Sequence, residues 1–154
     1  MKYEEDEKLS ENFNLDEFVV SRDYPEIAKK IVITKYLKEN ITNLVIKVLQ
    51  PVRTEINERI DVISGIRDKK LNKAVHGSNT SDHMEGSASD IISESILVNP
   101  KEVAYRIWNL NLPIRQLIYY TNKHFIHLSI NIPSKPFKHE LLRSDDGKNY
   151  IKEG

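Results

Sequence analysis

With 154 residues, 39% of them apolar and a single Trp, the chain has material for one compact domain of ordinary size and hardly for two. Lys plus Arg balances Asp plus Glu at 23 each, which excludes a global field that would draw the protein to nucleic acid or anionic lipid; neither nucleic acid nor membrane is expected as a partner. The absence of Cys removes disulfide scaffolds, thiolate metal sites and cysteine nucleophiles together, so any metal must be held by imidazole and carboxylate.

Residues 1–8 are charged and lack the apolar stretch of a signal peptide, so the chain is expected to be made in a cytoplasm, with residues 1–11 a polar N-terminal tail. From Leu37 the apolar residues Ile41, Leu44, Val45, Val48, Leu49, Val52 and Ile56 recur at three- and four-residue steps and predict an amphipathic helix. Pro51 removes a backbone donor within it, which predicts a kink or a fresh helical start there, and the helix should stop near Asn57. Residues 60–64 alternate as a strand, 68–75 read as a short helix capped by Asp68, and 77–81 form a loop by composition. Beyond it come a short strand at 88–92 and a helix at 100–110 with Pro near its start. Two apolar runs follow, at 116–120 and 125–132, able to pair as a hairpin across 121–124. Residues 134–154 read as a polar C-terminal tail, leaving 12–133 as the folded domain. Helices come first and strands cluster later, so the expected class is α+β, a small mainly antiparallel sheet flanked by helices.

Chemistry concentrates in residues 81–90, where His83 and Asp90 stand seven apart around a glycine and small residues that let backbone pack closely. His127 is a third candidate, a polar side chain inside the apolar run 125–129, where an imidazole buried without a partner would be costly. Two imidazoles and one carboxylate leave one tetrahedral position open on Zn²⁺, as catalytic rather than structural zinc sites do. On spacing alone a second reading stands beside it: a hydrogen-bonded core histidine at 127 and a loop bond between His83 and Asp90.

Ser64-Gly65-Ile66-Arg67 followed by Leu71-Asn72, then Ser81-x-His83-x-x-Gly86-x-Ala88-x-Asp90, then Ile126-His127-Leu128-Ser129 resembles the zinc D-Ala-D-Ala carboxypeptidase family. More narrowly it looks like the branch that includes phage peptidoglycan endopeptidases. The resemblance extends upstream through residues 9–18 and 48–53 and covers roughly 9–132. It implies a fold shared with Hedgehog signalling domains, Zn²⁺ held by His83, Asp90 and His127, and Arg67 facing the substrate to steady a developing oxyanion. Without the motif, Arg67 would read as a surface arginine capping a turn or pairing with Asp68.

The family also uses an acidic general base shortly before the last histidine, and residues 119–126 contain neither Asp nor Glu. In its place stand three alternatives: His124, although its odd separation from His127 requires a bulge or turn to bring both to one face; Glu85, a weaker candidate; or no base at all. His76 and His139 attract no role, beyond a place for His76 on the rim of a cleft. Two functions follow. One is a zinc peptidase cutting a stem or cross-bridge peptide of peptidoglycan, phage-associated and reaching the wall after release from the producing cell or from within a virion. The other is a catalytically impaired zinc-binding domain with a structural or binding role among virion proteins.

Overall fold

The computed structural model describes residues 7–154. Lys8–Ser10 (β1) and Phe13–Asn14 (β2) form a small antiparallel ribbon, followed by a 3₁₀ turn, Leu15–Phe18, that sends Leu15 and Phe18 into the core. The expected N-terminal tail is corrected here from Glu7 onward, because the backbone of Glu7 accepts from Leu15 and ties the ribbon down; residues 1–6 lie outside the described residues.

After a short turn of helix, Pro25–Ala28 (α1), Thr34 caps α2, Lys35–Leu44, with its side chain accepting from Leu37 N. Around Pro51 the run is not one continuous α-helix but makes a fresh helical start. Residues Val45–Leu49 form a π-helical turn that joins α2 to α3, Gln50–Ile56. The Pro51 ring would clash with a carbonyl one turn back in ordinary helix, and the wider π turn immediately before it takes up the conflict. Asn57, at φ +50°, ends α3 in the left-handed region.

The main sheet has six strands in the order β3-β4-β6-β5-β7-β8. They are Asp61–Ser64 (β3), Ala88–Ile92 (β4), Ile114–Tyr120 (β5), Phe125–Ile130 (β6), Glu140–Ser144 (β7) and Ile151–Lys152 (β8). All neighbours pair antiparallel except β5 with β7, which run parallel. Between them lie α4, Lys69–Ala74, capped by Asp68 as expected, and two further helices. Glu94–Val98 (α5) was not foreseen, and Pro100–Trp108 (α6) was. The class is α+β, with a small ribbon and a mostly antiparallel sheet flanked by helices, as the sequence implied.

The polar C-terminal tail is a second correction, since β7 and β8 extend the same sheet. Leu141 is fully buried, and its backbone bonds to Glu153 and Gly154 at the end of the chain. His139 stacks on Trp108 with ring centroids 4.4 Å apart and Nδ1 bonding to the Ile114 carbonyl.

Strand alternation sorts the sheet into two faces. Leu117, Tyr119, Ile126, Leu128 and Ile91 point into the helix-covered core. The opposite face carries Gln116, Ile118, Tyr120, Phe125, His127 and Asp90 into a cleft of about 830 Å³. Among the described residues no helix is long and apolar enough to cross a membrane.

Candidate metal centre

Register brings the site together. Asp90 on β4 pairs directly with His127 on β6, and Ser64, at the end of β3, pairs with Asp90 on the other side. His83 arrives from a 3₁₀ turn, Asp82–Glu85, which Ser81 caps by accepting from His83 N and which Gly86 closes at φ +69°. A Cβ at Gly86 would also press 2.9 Å from the Leu37 carbonyl oxygen on α2, so glycine is needed there twice over. The turn is further anchored by Asn40 Nδ2, which donates to the Glu85 carbonyl, and by Arg67 N, which donates to the His83 carbonyl.

His83, Asp90 and His127 are all buried and each offers a ligand atom, the three lying within 4.8 Å of one another. His83 Nδ1–H donates to the Gly65 carbonyl at 2.7 Å, which leaves Nε2 as a lone pair facing Asp90 Oδ1 at 3.3 Å. Two acceptors so placed repel unless a cation or proton lies between them. Asp90 Oδ1 also meets His127 Nδ1 at 2.9 Å. Burial lowers the His83 pKa, favouring the neutral imidazole that a metal requires. For Asp90 burial acts the other way, but the attraction of His83 and the hydrogen bond from His127 more than offset it and keep the carboxylate ionised. Convergent, buried nitrogen and oxygen atoms with a backbone carbonyl orienting one imidazole from behind are the donor set of a divalent metal site.

Arg67 lies beside this group, its NH2 3.7 Å from Asp90 Oδ2 and its side chain 13% exposed. Ser64 Oγ accepts from its Nε and NH2 at 3.3 and 3.2 Å, and Asn72 Oδ1 from NH1 at 3.4 Å. Burial lowers the guanidinium pKa against the attraction of Asp90, from a starting value high enough that it stays charged. A fixed cation therefore edges the cleft next to the candidate ligands.

The structure does not bring His124 to them. It sits in the β5–β6 turn at φ +52°, and its Nδ1 bonds to the Leu97 carbonyl of α5 at 2.6 Å, on the helix-covered side. The odd spacing from His127 is resolved by the turn, and it sends the imidazole away from the cleft. Glu85 contributes its backbone carbonyl to Asn40. His76, exposed at φ +58°, lines the cleft rim as the sequence suggested.

Three features of the cleft escaped sequence reasoning. Asp82 is buried between Arg115 Nε at 3.1 Å and Lys135 Nζ at 2.8 Å, forming an ion cluster in the cleft wall at the residue before His83. Burial would raise the Asp82 pKa, but Lys135 and Arg115 hold it below the ordinary carboxylate value. Asp146, the remaining acid of the cleft, accepts from Asn149 N, Lys148 N and Asn149 Nδ2, which draw its pKa down to about 2. Tyr120 lines the cleft from β5. Strand alternation was the available signal for Tyr120, because it returns to the face of Ile118, which the structure pairs with His127.

The fold and centre define an α+β protein whose mid-sheet His₂Asp group can hold a divalent metal beside a fixed arginine. A family model described as Peptidase M15 matches residues 12–129, and the chain belongs to this zinc D-Ala-D-Ala carboxypeptidase-like family. No curated protein matches the chain.

Proposed function

We propose that the chain is a zinc-dependent peptidase acting on a stem or cross-bridge peptide of bacterial peptidoglycan, phage-associated and reaching the wall after release or as part of a virion. The observation that carries this reading is the convergence of His83, Asp90, His127 and Arg67 at one cleft in a member of a peptidase family. His83 Nε2, an Asp90 oxygen and His127 Nδ1 would hold the Zn²⁺, and Gly65 would keep the His83 ring in the ligating tautomer. Zn²⁺ held there supplies Lewis acidity toward a peptide carbonyl and toward water. Arg67, already clamped by Ser64 and Asn72, loses little freedom on offering N–H groups to the oxygen that becomes negative as the carbonyl is attacked. A merely structural zinc would need no such arginine.

One observation favours a second reading, a zinc-binding domain with weakened or lost hydrolysis. Among the described residues lining the cleft, the acids besides Asp90 are Asp82, neutralised by two cations, and Asp146, too acidic to accept a proton near neutral pH. The proton released by attacking water then has to leave through solvent.

Incubation of zinc-loaded protein with purified peptidoglycan fragments, read by mass, separates the two. New amino or carboxyl termini that vanish in His83→Ala establish the peptidase and identify its bond. No product from folded, zinc-loaded protein sinks the enzyme reading and leaves the binding domain.

A further inference from the structure

We propose that the Tyr120 hydroxyl is a catalytic hydrogen-bond donor, sharing with Arg67 the negative charge that develops on the scissile carbonyl oxygen. The inference rests on the peptidase reading of the same cleft. Its first support is register. On the cleft face of the hairpin Ile118 lies opposite His127 and Tyr120 opposite Phe125, so Tyr120 is the diagonal neighbour of a candidate ligand. Such neighbours are about 7–8 Å apart, within reach of an aromatic side chain.

Its second support is restraint. The Tyr120 ring stacks on Phe125 with centroids 4.2 Å apart and planes 9° from parallel, which holds it against the β6 side of the cleft. The hydroxyl meets that of Tyr150 at 3.3 Å, and Tyr150 in turn reaches the Gly147 carbonyl at 3.4 Å. Tyr150 and Gly147 lie outside the family match, in the segment that walls the cleft.

The hydrogen-bond inventory then allows a switch. Two hydroxyls hold two protons, and the acceptors at hand are the two phenol oxygens and the Gly147 carbonyl. At rest Tyr120 can donate to Tyr150 and Tyr150 to Gly147. When an oxyanion forms, both hydroxyls rotate: Tyr150 donates to Tyr120, and Tyr120 donates into the cleft. No proton changes owner. Burial raises the Tyr120 pKa, helped by Tyr150 and by the charge of Asp90, so the phenol stays protonated and serves as a donor, not as the missing base.

The test is Tyr120→Phe, which keeps the ring and removes one oxygen, beside Tyr150→Phe, which removes only the supporting partner. Both should match wild type in melting temperature and zinc content. For Tyr120→Phe we expect kcat to fall about 10- to 100-fold with KM within about threefold, as for loss of one donor to an oxyanion. The phosphinate isostere of D-alanyl-D-alanine, which carries a tetrahedral oxyanion, should bind zinc-loaded Tyr120→Phe about tenfold or more weakly than wild type, while the parent dipeptide changes little. Tyr150→Phe should show a smaller loss of the same kind. If wild type cleaves nothing, the peptidase reading falls and the phosphinate comparison alone decides the role of Tyr120. Equal phosphinate affinity in wild type and Tyr120→Phe, including no binding by either, overturns the inference.

Discussion

Gly65 is where fold and metal centre are most tightly coupled, and Gly65→Ala puts that coupling to measurement. A Cβ there would lie 2.3 Å from the Phe18 carbonyl oxygen and 2.7 and 2.8 Å from the Phe18 Cα and carbonyl carbon. Relaxed contacts lie near 3.5 Å, so the end of β3 must retreat from Phe18 by roughly 1 Å. No flexible side chain can yield instead, because the obstructing atoms are backbone. Phe18 is fully buried and its carbonyl also accepts from Ile66 N at 2.8 Å, so the movement strains a fixed contact. Overpacking of this kind costs about 1–3 kcal/mol, and at this chain length the melting temperature should drop by roughly 2–4 °C per kcal/mol. The Gly65 carbonyl orients the His83 ring, and the next two residues lead to Arg67, so zinc affinity should fall about 10- to 100-fold, as when a ligand's outer partner is displaced. Thermal melting and a zinc competition titration with a chelator measure the two effects. Gly147→Ala is the control: its Cβ meets only Asn122 Nδ2 at 3.9 Å, so the φ of +75° costs about 1 kcal/mol and zinc binding stays intact. Unchanged melting and unchanged zinc affinity in Gly65→Ala would refute the argument.

Three further perturbations follow from the same geometry. Arg67→Ala should lower kcat by about 10²–10³ while zinc titrations stay near wild type, and a variant with full activity would remove the arginine from the oxyanion site. His124→Ala should leave peptide cleavage and its pH profile unchanged and cost about 1 kcal/mol in a denaturant melt through the lost bond to the Leu97 carbonyl; a collapse in activity would restore His124 as the base. Asp82 has a lowered folded pKa, so its stabilising contribution is complete above its unfolded value of about 3.9 and is lost as the pH falls through that value towards the folded one. Acid titration of stability should therefore be steeper below about pH 4 in wild type than in Asp82→Asn, which is itself destabilised by about 3 kcal/mol or more because Arg115 and Lys135 lose their anion; parallel acid limbs would contradict this.

The parts of the molecule legible in sequence are those with local signals. The helix over residues 37–56, the cap at Asp68, the Pro100 that opens α6 and the hairpin across 121–124 each carry their pattern within one turn or one loop. The three candidate ligands were legible because motif spacing and strand register agree: Asp90 and His127 are direct cross-strand neighbours. The C-terminal strands were not, for a physical reason. Glu140–Ser144 offers only Leu141 and Leu142 as apolar residues, and its parallel partner β5 lies 24 residues earlier in register. Pairing at that distance leaves no local trace. The Asp82–Arg115–Lys135 cluster is hidden for the same reason, being assembled from residues 33 and 53 apart.

The separation of metal binding from proton transfer also follows from where each is built. The candidate ligands stand on the interlocked centre of the fold, with His83 held by the Gly65 carbonyl and Asp90 and His127 paired across β4 and β6. The residue three before His127 falls in a turn that aims it at α5. Substituting an acid at 124 would place a carboxylate against the Leu97 carbonyl, not in the cleft. Apart from the candidate ligand Asp90, the cleft-facing positions nearest His127 are Ile118 and Tyr120 on β5 and Phe125 on its own strand, and none is a base. Metal affinity can therefore persist while hydrolysis is tuned or lost through β5 and the C-terminal wall, because changes there leave the three candidate ligands and the Gly65 carbonyl in place.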